Sequence, residues 1–140
     1  MAEFLRWMPI DSLAAHASCI VNNRPTVKLA AGKLGVLVHV SVSFGGVCPA
    51  RLLCDAASLL GKPNEANEHY RKTIDLSEEI RNRPEIALTH LGLAELLLEH
   101  YPDERAEALE HLDTAITELR DMKMQPALER ALSHRDILKA

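Results

Sequence analysis

The chain has 140 residues, enough for one domain that buries its own core without a disulfide or metal staple. It is 47% hydrophobic but only 4% aromatic, a balance that suits packed helices better than a sheet. The net charge of -4 lies beyond residue 50, because residues 1–50 carry four basic side chains against two acidic ones; an acidic helical region offers no footprint for a phosphate backbone, which speaks against direct nucleic-acid binding.

Residues 1–48 have mixed signals. Asp11 to Val21 has the makings of a short helix, and Pro25 is placed to start another. Val36 to Phe44 alternates like a strand over much of its length, and Gly45 and Gly46 break what precedes them. A lone strand in a helical protein has no partner for its backbone groups, so the segment is expected to be helical. Its apolar run from Leu34 to Phe44 is about half the ~20 residues a membrane-spanning helix needs. The first residues lack the basic stretch of a signal peptide. Three cysteines, Cys19, Cys48 and Cys54, make no paired framework and read as thiols in a reducing compartment. A cytoplasmic chain without a membrane partner is the expectation.

From Pro49 onward the pattern repeats. Pro49, Pro84 and Pro126 each open a similar segment, and proline is welcome in the first helical turn, where its missing N–H has no partner to lose. The first helix is expected to stop at Gly61, with Pro63 beyond it and Asn64 capping the next. On that second helix Ala66, Tyr70, Thr73, Ser77 and Ile80 share a stripe, while Glu65, Glu68, Arg71, Lys72, Asp75, Glu78 and Glu79 face the other way. Glu85 to His100 is apolar around most of its circumference, which predicts a helix buried between neighbours. It ends at Tyr101 and Pro102, with Asp103 placed to cap a helix that buries Ala108, Leu112, Ala115, Ile116 and Leu119. Pro126 to Lys139 forms a last, single helix with Ala127, Leu128, Ala131, Leu132 and Leu138 inward, as the end of a stacked array requires.

The small–large–small sets Ala66, Tyr70, Thr73 and Ala108, Leu112, Ala115, together with Leu91-Gly92 on the leading helix, resemble the tetratricopeptide repeat family. The resemblance covers Pro49 to Ala140. It implies an all-α stack of antiparallel helix pairs, a short right-handed α-solenoid ending in a single capping helix. Residues 1–48 would then be a helical cap or a degenerate repeat, and residues 49–140 the repeat domain. The runs from Arg81 to Thr89, Ala94 to Pro102 and Ala106 to Asp113 are similar to the C-terminal repeat tail of large bacterial regulators. In those, a signalling ATPase is joined to an adenylate or guanylate cyclase or to a LuxR-type DNA-binding module. That likeness implies a protein–protein interaction or scaffold module in bacterial signalling or transcriptional regulation. The alternative it carries is a regulatory piece acting with a signalling ATPase or nucleotide cyclase.

Catalytic, metal and cofactor sites find no support in the residues. His90 and His100 do not share a helical face, and no H-E-x-x-H or phosphate-binding G-x-x-x-x-G-K-[ST] loop occurs. Cys48 and Cys54 are too far apart for C-x-x-C and read as buried thiols. A small enzyme built on Cys and His rests on no motif. The remaining candidate surface is a groove along the leading helices, for which Arg51, Asp55, Thr89, His90, Leu93, Arg130 and His134 are the nominated residues. Its expected occupant is a protein or peptide, or a second copy of the chain as a homodimer, with no cofactor.

Overall fold

The computed structural model describes residues 49–139 and the isolated residue Pro25, which is helical. The described residues are all-helical and contain no strand. In chain order they form α1 (Pro49–Leu59), α2 (Pro63–Glu79), α3 (Arg83–His100), a 3-10 turn (Pro102–Glu104), α4 (Arg105–Asp121) and α5 (Gln125–Lys139). The expectations for the Asp11–Val21 and Val36–Phe44 segments, for a cap over residues 1–48, and for Cys19 and Cys48 lie outside the described residues.

Three of the helices end alike. Gly61, Arg81 and Lys123 have φ of 73°, 54° and 56°, the left-handed region. At each, the left-handed residue donates its N–H three residues back and the following residue donates five back. Gly61 bonds Ser58 and Lys62 bonds Ala57; Arg81 bonds Glu78 and Asn82 bonds Ser77; Lys123 bonds Arg120 and Met124 bonds Leu119, all between 2.9 and 3.1 Å. These bonds satisfy carbonyls that the helix end leaves without partners. The residue that closes each cap also opens the next helix: Lys62, Asn82 and Met124 accept from Ala66, Ile86 and Leu128. A proline then stands in each new first turn, at Pro63, Pro84 and Pro126.

Three expectations are corrected. Asn64 does not cap α2, because Lys62 already supplies the first intrahelical carbonyl and Asn64 lies within the first turn. Asp103 does not cap α4: the chain is already coiled in a 3-10 turn there, Glu104 donates to the Tyr101 carbonyl at 2.9 Å, and Glu104 precedes the helix without a side-chain cap. Ile80 is 41% exposed rather than inward. It lies past the last residue of α2, so the buried stripe stops at Ser77.

Only Gly tolerates a left-handed φ without cost from its own side chain. Arg81→Gly and Lys123→Gly should therefore each stabilise the protein by about 0.5–1 kcal/mol, read as a higher denaturant midpoint at unchanged slope. A lower midpoint would mean that the two caps are not strained by their side chains.

The chain divides into two compact units, Met1–His69 and Tyr70–Ala140, with the boundary inside α2. In the first, α1 buries Leu52, Cys54 and Ala56, and Cys54 Sγ donates to the Ala50 carbonyl at 3.3 Å. In the second, α3 packs along α4 and α4 along α5. Ala87, Leu91 and Ala94 of α3, Leu112, Ala115, Ile116 and Leu119 of α4, and Leu128 and Ala131 of α5 make one core. α3 buries residues on more than one side, from Ala87 through Leu97, as its near-continuous apolar sequence requires. The Arg83 guanidinium forks to Glu118 at 2.7 Å and Asp121 at 2.6 Å, tying the start of α3 to the end of α4. The one glycine of α3, Gly92, faces the Tyr70 ring so closely that a Cβ would lie 2.7 Å from Tyr70 Cε1.

Candidate functional site: an end cleft and a histidine pair

Where α3 ends, α4 begins and α5 ends, the helices leave an open cleft of about 260 Å³. Its position follows from local sequence. Tyr101 donates its N–H to the Leu97 carbonyl at 2.8 Å and closes α3, and Pro102 starts the 3-10 turn that delivers Arg105 to the first turn of α4. Arg105 Nη2 then donates to the Leu138 carbonyl at 2.8 Å, satisfying one of the last carbonyls of α5. Leu98, Tyr101 and Pro102 line one side, Ile137 and Leu138 another, with Arg105 and His134 as the polar groups. Ile137 is 69% exposed at this cleft. Arg105 has no ion pair among the described residues, where its one hydrogen bond to protein is to the Leu138 carbonyl.

Beside the cleft, Glu95 of α3 gathers two side chains of α5. Arg130 Nε lies 2.8 Å and His134 Nε2 lies 3.0 Å from Glu95 Oε1. Arg130 and His134 are one helical turn apart, which puts both on the same face. Glu95 interrupts the apolar run of α3, and that interruption was the sequence signal for it.

A second polar cluster crosses from α3 to α4. His90 Nδ1 and His111 Nδ1 are 2.8 Å apart. The ring centroids are 4.9 Å apart at an interplanar angle of 40°. That separation is close to the N···N distance plus the two ring radii, so the two nitrogens face each other nearly head-on. This is the geometry of a shared proton, whereas two ligands converging on a metal would meet at an angle. No group of three or more His, Cys, Asp or Glu among the described residues is arranged to hold a metal ion. On its far side, His111 Nε2 lies 3.6 Å from Glu107 Oε1, and Arg71 Nη2 of α2 lies 2.7 Å from the same oxygen. Burial, helped by the charge of His111, pushes His90 down to about 4. Burial also lowers His111, opposed by the Glu107 carboxylate.

The nominated groove residues are placed as follows. Arg130 and His134 meet through Glu95 beside the cleft. Arg51 and Asp55 pair with each other along α1 at 3.3 Å. Thr89 and Leu93 are buried with 0% exposure, and His90 is buried against His111. Leu93 and Thr89 lie inside because α3 has no wide polar side to turn outward. Arg105, Ile137, Glu95 and His111 are the site residues that sequence reasoning missed. Among the described residues, no helix is long and apolar enough to cross a membrane. No family model, no curated protein and no solved structure matches the chain.

Proposed function

We propose that the chain is a non-catalytic protein-interaction module of tetratricopeptide type, and that it takes its partner at the end cleft. The observation that carries this reading is the cleft itself: an apolar hollow with an exposed isoleucine at its edge and an arginine that has no carboxylate partner among the described residues. A cleft of that kind suits a peptide segment with an apolar side chain next to an acidic group. Support for the repeat architecture comes from two recurrences. The same two-bond cap closes α1, α2 and α4, and the small–large–small sets Ala66, Tyr70, Thr73 and Ala108, Leu112, Ala115 are all buried. A helix pair joined by so short a turn, recurring along the chain, is the unit from which a solenoid is stacked.

The test is a displayed peptide library selected on the immobilised full chain. Selection should enrich peptides pairing an apolar with an acidic residue, and Ile137→Glu should weaken their binding about tenfold while leaving the thermal midpoint in place. Ile137 is exposed, so the substitution adds charge at the cleft without opening the core. Failure to enrich any peptide from a diverse library, or equal binding by the variant, would overturn the assignment of the cleft.

A further inference from the structure

We propose that the His90–His111 pair is a two-step proton latch between α3 and α4, one that keeps its hydrogen bond when it takes up one proton and breaks it when it takes up a second. The starting state follows from the surroundings. Two neutral rings joined through their Nδ1 atoms hold one proton between those atoms, so one ring donates and the other accepts. If His111 donated from Nδ1, its bare Nε2 lone pair would face the Glu107 carboxylate at 3.6 Å. If His90 donates, the His111 proton sits on Nε2 and points toward that carboxylate. The second arrangement is the favourable one. His90 therefore carries its proton on Nδ1 and His111 on Nε2.

The first added proton enters at His90 Nε2, the only bare nitrogen not already facing a proton. His90 can then pass its Nδ1 proton along the 2.8 Å bond to His111 Nδ1. The pair ends as a neutral His90, protonated on Nε2 and accepting through Nδ1, beside a His111 imidazolium whose Nε2–H faces Glu107. The hydrogen bond survives with its direction reversed, and it is now charge-assisted. A second proton has only His90 Nδ1 left to occupy. It would abut the Nδ1–H of His111 with no acceptor between them, and two cations, one buried and one half-buried, would face each other at hydrogen-bond distance. The contact must then open.

Among the described residues, the charged groups acting on the pair are Glu107 and Glu110 from α4, which favour the His111 cation, and Arg71 from α2, which opposes it. Arg71 is itself held on Glu107 at 2.7 Å, so the carboxylate is shared between the guanidinium and the ring. The order of the two steps follows: His111 gains its proton with a carboxylate beside it, whereas His90 gains one against burial and a neighbouring cation. Both rings bind protons less readily folded than unfolded. Between the ordinary imidazole value of 6.5 and about 4, the unfolded chain takes up protons that the folded chain resists, so acid erodes stability across that window. Above it the latch contributes its full stability.

Nitrogen-15 NMR of the histidine side chains in the full chain reads the latch directly. Near neutral pH, His90 should be protonated on Nδ1 and His111 on Nε2. On acidification His111 should titrate first with backbone amides at Leu91 and Leu112 unmoved, and His90 later, together with a shift of those amides. Glu107→Gln should move the His111 step to lower pH, an effect that a merely structural role for Glu107 would not produce. Both rings protonated on Nε2 at neutral pH, a single joint step near 6.5, or an unmoved His111 step in Glu107→Gln would each overturn the proposal.

Discussion

Leu112→Ala should destabilise the protein by about 3–4 kcal/mol, measured as a drop in the midpoint of chemical denaturation. Leu112 has 0% exposure at the middle of α4, the helix that packs against both α3 and α5. Its side chain shares one core with Leu91 and Ala94 on α3 and with Leu128 and Ala131 on α5. Truncation there loses the transfer free energy of the removed carbons and leaves a cavity that two helices would both have to move to fill. Small neighbours make collapse harder, because Ala94, Ala115 and Ala131 have no long side chains that could move into the cavity. Leu132→Ala, at a partly buried position at the edge of the same core, should cost clearly less. Equal losses at the two positions would mean that α4 is not the central helix of this core.

Gly92→Val is the second large effect, at about 3 kcal/mol of lost stability. A Cβ at Gly92 would lie 2.7 Å from Tyr70 Cε1 and 2.8 Å from Tyr70 Oη, closer than real contacts allow. Tyr70 is only 3% exposed, so its ring has little room to swing away. Replacing a helical glycine would otherwise help, since glycine costs a helix up to about 1 kcal/mol relative to alanine. Steric conflict outweighs that gain here. The cycle with Tyr70→Ala separates the two terms: once the ring is gone, the loss caused by Gly92→Val should shrink by more than half. An undiminished loss in the Tyr70→Ala background would place the strain elsewhere on α3.

Much of the helical framework could be read from residues that act locally. A proline in the first turn announces a start wherever it stands, so the starts expected at Pro49, Pro84 and Pro126 fall within one residue of α1, α3 and α5. The buried stripe of α4 follows from its 3.6-residue period, and all five of its inward residues are buried. The caps at Arg81 and Lys123 left no comparable mark. Arginine and lysine have no preference for a left-handed φ, and only the geometry of the two-bond turn holds them there. The missed capping positions have two sources: the overlapping turn at Lys62 moved the start of α2 upstream of Asn64, and the 3-10 turn from Pro102 placed Asp103 ahead of an α4 that begins only at Arg105.

The site was less legible than the framework, for a reason that lies in register. His90 and His111 are 21 residues apart, and their meeting depends on how far α3 slides along α4, a quantity no single-helix pattern contains. Glu95, Arg130 and His134 converge for the same kind of reason, although the spacing of Arg130 and His134 already placed those two on one face. Thr89 and Leu93 show the converse. On a helix that is apolar nearly all round, polarity or size alone does not say which side meets solvent.

The proposal that the end cleft receives a protein segment is tested most directly by mapping. The nitrogen-15-labelled chain would be titrated with a peptide from the library selection, and its backbone and side-chain resonances followed. The largest shifts should fall on Leu98, Arg105, His134, Ile137 and Leu138, and they should vanish in Ile137→Glu. Shifts centred on α1, or on the outer face of α2 from Glu65 to Glu79, with the cleft resonances unmoved, would contradict it.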